Sequence, residues 1–120
     1  MELNPEAVKD AKVNAKLNEA KNVEVFRNDA GHFMKDMAAK KEKLDVLFMD
    51  PPRSGASEEF LSAALELGPS KIVYVSCEPT TLARDLAVLT DGGYEMKKAV
   101  PVDMFPYVEG VEVVVLLSSR

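Results

Sequence analysis

"KIVYVSCEPTTLARDLAVL", residues 71–89, changes character in its middle. "KIVYVS" is a short, nearly continuous run of β-branched and aromatic residues, the pattern of a strand buried within a sheet. Pro79 then opens a stretch in which Leu82, Leu86 and Leu89 recur at helical spacing, and Gly92-Gly93 stops it. A buried strand running directly into a helix is the unit from which α/β sheets are built. Cys77, the chain's only cysteine, stands at the junction.

The same alternation extends in both directions. Upstream, "LDVLFMD" (44–50) predicts a second buried strand that runs into Asp50-Pro51-Pro52-Arg53. Ser57 is placed to cap a helix reaching about Leu67, with Phe60, Leu61, Ala64 and Leu65 on its inner face. Further upstream, "NVEVFRN" (22–28) alternates like a strand, and residues 30–41 suit a short helix carrying Phe33, Met34 and Met37. The first helix signal is Asn4 as N-cap, Pro5 at the first helical position and Glu6 in the first turn. Downstream, "YEMKKAVPVDMF" (94–105) and "GVEVVVLLS" (110–118) have no helix between them and should pair antiparallel. The expected architecture is α/β, a mostly parallel sheet with an antiparallel last strand, covered on both faces.

Composition sets bounds on function. A chain of 120 residues fits one domain, and 47% apolar with 29% charged residues is ordinary globular composition. The longest apolar run, "VEVVVLL", is too short to span a bilayer, and "MELNPEAVKD" lacks the apolar centre of a signal peptide. No membrane association is expected. One cysteine cannot form an internal disulfide, so the cytoplasm is the expected setting. The same count excludes a cysteine-built zinc or iron–sulfur site in this chain, and His32, the only histidine, has no evident metal-binding company. A net charge of −5 argues against a broad phosphate-binding face. The Lys-rich "KDMAAKKEKL" (35–44) fits a solvated helix face better than a nucleic-acid grip.

In open parallel sheets ligands bind beyond the C-terminal strand ends. That edge should gather Asp29, Asp50, Pro51, Pro52, Arg53, Ser76, Cys77 and Glu78. A thiol at a helix start faces free N–H groups and the positive end of the helix dipole, which suits a nucleophile. A lone cysteine is also commonly a small buried hydrophobe. Asp50 followed by two prolines makes a stiff turn that can frame a planar ring or hold a cofactor, or serve only as a strand exit. Glu112 opens an apolar strand, either inward as a general base or outward at the edge.

Together, "DVLFMDPPRSG", "IVYVSCEPTTLARDL" and "VDMFPYVEGVEVVVLLS" resemble the C-terminal part of the uracil-5 RNA methyltransferases. "ELNPEAVKDAKVNAKLNEAKNVEVFRNDA" is similar to the segment that follows their cofactor-binding strand, so the resemblance covers essentially the whole chain. It implies a Rossmann-like class I methyltransferase fold, S-adenosyl-L-methionine as cofactor and ribosomal or transfer RNA as substrate. It further implies Cys77 as the nucleophile that adds to C6 of uracil and Glu112 as the base that removes the C5 proton. Glu2, Asp29 and Asp50 would serve the cofactor, with Pro51, Pro52 and Arg53 beside the target base. The family usually carries a histidine two residues before that glutamate, where this chain has Gly110.

The resemblance begins after the family's first strand and its Gly-rich loop. The chain is therefore expected to be the C-terminal portion of a catalytic domain, inactive alone. Residues 1–43 should pack through helices, re-pair with another strand or associate with a second chain. Two other classes are compatible with the fold. One is a methyltransferase acting on an exocyclic amine, although an aromatic residue commonly follows the prolines there and Arg53 is not aromatic. The other is a non-enzymatic binding module derived from a methyltransferase.

Overall fold

The computed structural model describes residues 4–24, 26, 29–102 and 112–120. Two helices come first, α1 (Pro5–Leu17) and α2 (Ala30–Ala39). Strands and helices then alternate as β1 (Val46–Met49), α3 (Glu58–Leu67), β2 (Lys71–Ser76) and α4 (Pro79–Asp91), before β3 (Tyr94–Val102) and β4 (Glu112–Ser119). The helix starts follow from local chemistry. Asn4 accepts from the Glu6 and Ala7 N–H groups, and Ser57 accepts from Phe60 N–H. α3 ends on Gly68, which takes the left-handed conformation at φ 61° that a side chain would disfavour.

The strands form one mixed sheet in the order β1-β2-β4-β3. β1 and β2 run parallel through the α3 crossover, with Val46 opposite Lys71 and Met49 opposite Tyr74. β4 pairs antiparallel with β2 and with β3, as expected from a sequence with no helix pattern between the last two strands. The core lies on one face. Leu47, Met49, Ile72, Tyr74, Val115 and Leu117 of the sheet meet Met34 and Ala38 of α2, Leu61 and Ala64 of α3, and Leu82 and Leu89 of α4.

Two expectations change. The sequence suggested a sheet covered on both faces, yet Val46 and Phe48 are exposed, Phe48 at 75%. Helices α2, α3 and α4 all contribute to a single core cluster, and no residue of α1 belongs to it. The alternate residues of the strands (Val73, Val75, Val114 and Leu116) are therefore only half-buried. The predicted strand over 22–28 is also not found among its described residues, 22–24 and 26. Val23 and Phe26 are exposed, and residues 25, 27 and 28 of that stretch lie outside the described residues. Phe26 packs its ring against Phe33 in a tilted pair, 4.9 Å between centroids and 42° between planes. Among the described residues no helix is long and apolar enough to cross a membrane.

Candidate active site

The C-terminal ends of β1 and β2 open onto one edge of the sheet. β1 delivers Asp50, which is exposed, followed by half-buried Pro51 and exposed Pro52 and Arg53. The chain then closes a tight turn in which Gly55 N–H donates to the Pro52 carbonyl at 2.8 Å. Gly55 adopts φ +82°, and a Cβ there would lie 2.8 Å from Asp85 Oδ2 and collide with Arg84 Nη2. Only glycine suits this position.

β2 delivers the second loop. Buried Ser76 donates its hydroxyl to the Glu78 carbonyl at 2.9 Å and accepts from Glu78 N–H at 3.1 Å. Glu78 is in turn the N-cap of α4, its carboxylate accepting from the Thr80 hydroxyl at 3.0 Å. Cys77 lies between these two fixed neighbours, half-buried and free of any disulfide. The last rung of the β2–β4 ladder is Ser76 opposite Val113. Cys77 is the residue that follows the end of β2, and Glu112 is the first residue of β4. Glu112 is half-buried and starts β4 across from Val102 of β3. A thiol and a carboxylate from distant sequence positions thus neighbour the last pair of that ladder, Cys77 next to Ser76 and Glu112 next to Val113.

Asp29 is the N-cap of α2, with its carboxylate accepting from His32 N–H at 3.0 Å. Gly31 in the following turn lets α2 approach α3, since a Cβ there would lie 3.0 Å from Ser57 Oγ. Glu2 and Gly110 lie outside the described residues.

The polar centre that sequence reading overlooked is Asp85. It is fully buried on the inward stripe of α4 with Leu82 and Leu89. An unpartnered carboxylate there would cost several kcal/mol, so its partners decide whether the helix can pack. Tyr74 Oη donates to Oδ2 at 2.6 Å, Ala56 N–H donates to Oδ2 at 2.8 Å, and Arg84 donates from both Nε and Nη2 to Oδ1 at 3.1 Å. Burial, with the hydrogen bond to Asp85 and its negative charge, pushes the Tyr74 phenol well above the usual tyrosine range. The signal available in the sequence was a charge at position i+3 of a Leu82–Leu89 stripe. Apart from adjacent Arg84, its partners stand 11 and 29 residues away.

An α/β sheet that turns from parallel to antiparallel, with its loops gathered at the strand ends, defines a class I methyltransferase fold. Structures of known proteins agree with it. The chain superposes on a Geobacter metallireducens precorrin-6y C5,15-methyltransferase with TM-score 0.71 and on Methanococcus jannaschii fibrillarin with 0.66, at 21% and 17% identity. It is 32% identical to the Pyrococcus abyssi tRNA (uracil-54, C5)-methyltransferase, solved with S-adenosyl-L-homocysteine, at TM-score 0.74 over 96% of this chain and 27% of that one.

The family model of the tRNA (uracil-5-)-methyltransferases matches residues 1–120, and the chain belongs to that family. Over 120 residues it is 49% identical to an uncharacterised RNA methyltransferase of Halalkalibacterium halodurans and 47% identical to one of Oceanobacillus iheyensis. All of this chain aligns in both cases, and it spans 26% of each relative's length.

Proposed function

We propose that these 120 residues form the C-terminal part of the catalytic domain of an RNA uracil-5 methyltransferase. Cys77 would act as nucleophile and Glu112 as base. The observation that supports the proposal is the end of the β2–β4 ladder at Ser76 opposite Val113, with Cys77 following the one and Glu112 preceding the other, in a chain that belongs to this family.

C5 of uracil is a weak nucleophile. Addition of the Cys77 thiolate to C6 forms a C–S bond and sends the pair of the C5–C6 double bond toward C5 and O4, giving an enolate whose C5 is nucleophilic. S-adenosylmethionine, the cofactor of this family, would supply an electrophilic methyl group for that carbon. Glu112 would then take the C5 proton, the double bond would re-form and the C–S bond would break, returning the thiolate. The chain's own residues fit such a cleft. Asp50 presents an exposed carboxylate at the strand end, where it can accept hydrogen bonds from cofactor or base, and Pro51 and Pro52 give a stiff wall. Arg53, exposed beside them, can meet a phosphate of an RNA whose target base has been turned out of its stack. Asp29 and Glu2 are the further cofactor candidates. In this reading the 120 residues alone do not turn over, and the RNA is engaged through the longer protein in a soluble, cytoplasmic setting.

The test compares two variants of the full-length protein. Cys77→Ala should abolish both methyl transfer and covalent capture of uridine RNA. Glu112→Gln should still capture RNA but fail to release it, leaving a denaturation-resistant complex on a gel. Turnover at the normal rate by Cys77→Ala would refute the assignment.

A further inference from the structure

The two loops at the candidate site are joined by more than the sheet. Thr81, Arg84 and Asp85 share one face of α4, at spacings of three and four residues. The Thr81 hydroxyl donates to the Arg53 carbonyl at 2.9 Å. Arg84 Nη2 donates to the Ser54 carbonyl at 2.8 Å and the Ala56 carbonyl at 3.3 Å, and Asp85 accepts from Ala56 N–H. Three carbonyls and one N–H of residues 53–56 are therefore held by that helix, and Gly55 leaves no room for a Cβ between them.

We infer that Arg84 and Asp85 are positioning residues, which clamp the segment after Asp50-Pro51-Pro52 onto the helix that begins just after Cys77 and so fix the proline turn relative to the thiol. The inference rests on the reaction proposed above. Strand pairing sets Met49 against Tyr74, but Asp50 and Cys77 both lie beyond the ends of that pairing. Their separation is set by whatever ties the two loops together, and the clamp spans that gap. Asp85 occupies a stripe position where a leucine would pack without demanding partners. A carboxylate there, fixed from below by Tyr74 Oη, adds directional hydrogen bonds that an apolar side chain could not supply. Arg84 is 55% exposed, and its guanidinium bridges the buried Asp85 carboxylate to the Ser54 and Ala56 carbonyls of the loop.

The experiment uses the full-length protein with RNA and S-adenosylmethionine, comparing wild type, Arg84→Lys, Asp85→Asn and Thr90→Ala. Thr90 bonds only within the last turns of α4, to the Leu86 and Ala87 carbonyls, and serves as the control for helix stability. Arg84→Lys keeps a positive charge beside Asp85 but loses the fork that reaches two carbonyls. Its kcat, and its rate of covalent capture of 5-fluorouridine RNA at Cys77, should fall about tenfold, and Asp85→Asn should lose on the order of a hundredfold. The RNA KM should stay within about twofold in each, the signature of an interaction that orders reacting groups. Hydrogen exchange at the Ala56 amide should rise in both variants and remain unchanged in Thr90→Ala. Wild-type kcat in Arg84→Lys despite faster Ala56 exchange would overturn the inference, and this variant decides alone if Asp85→Asn does not fold. A wild-type protein with no adduct at Cys77 would instead defeat the reaction, and the positioning role with it.

Discussion

Helices α1 and α4 are each 13 residues long, and both begin with a side-chain cap followed by proline. Their fates differ. α4 buries Leu82, Asp85 and Leu89, and joins the core, whereas α1 buries only Val8 and leaves Leu17 74% exposed. Capping decides where a helix starts, and an apolar stripe decides whether it packs. The stripe on α1 is built from Ala11 and Ala15, which offer little area to bury, and from Val8. α4 carries three leucines and a carboxylate whose partners lie in β2 and the 53–56 loop, so it is tied to the site as well as to the sheet.

The comparison is tested most severely in α4. Leu89 is fully buried, and Leu89→Ala should destabilise the fold by about 3 kcal/mol in urea titration, whereas Leu17→Ala in α1 should change it by less than about 0.5 kcal/mol. Comparable losses would mean that α1 packs as firmly as α4. Gly55→Ala should cost about 2 kcal/mol, because a methyl group must enter at φ +82° against Arg84 and Asp85. A neutral result would show that the loop relaxes away from α4 without penalty.

Alkali should act on the same region. The folded chain holds the Tyr74 proton more tightly than the unfolded chain, whose phenols titrate near 10, and burial raises Tyr94 in the same direction. A raised phenol contributes stability in full below pH 10 and loses it as the pH climbs further. Urea midpoints should be level in this respect up to about pH 10 and then fall, with a shallower fall in Tyr74→Phe. An identical slope in that variant would remove Tyr74 from the account. The smallest effect belongs to the first helix. Asn4→Ala should fray its start and lower helical circular dichroism slightly, with a cost of about 1 kcal/mol confined to α1. A matching drop in the cooperative transition would join α1 to the core.

The parts of the fold visible in sequence are those specified locally. Asn4, Ser57 and Pro79 mark helix starts, "KIVYVS" is a strand at the residues expected, and the absence of a helix before "GVEVVVLLS" gives the antiparallel pair. What could not be read depends on neighbours. "NVEVFRN" carries strand alternation but, in its described residues, no strand; "LDVLFMD" looks buried on both sides, yet Phe48 faces outward because the helices gather on one face. At the site, Cys77 and Glu112 were legible as residue types that suit a nucleophile and a base, and as positions in a family pattern. Their closeness to the same end of the β2–β4 ladder needed the register of those strands. Asp85 escaped notice because a charged residue on a helix usually faces water, and only the fold supplies Tyr74, Ala56 and Arg84 together.

The most direct test of the central claim is the intact mass of the full-length protein after incubation with 5-fluorouridine RNA and S-adenosylmethionine, followed by peptide mapping. Fluorine at C5 cannot leave as a proton, so the enzyme should remain bonded to the base once the methyl group has arrived. The expected result is an adduct on the peptide that contains Cys77, absent in Cys77→Ala. Methylation of ordinary uridine RNA with no adduct on the fluorinated one, or an adduct on another residue, would contradict the assignment of Cys77 as the nucleophile.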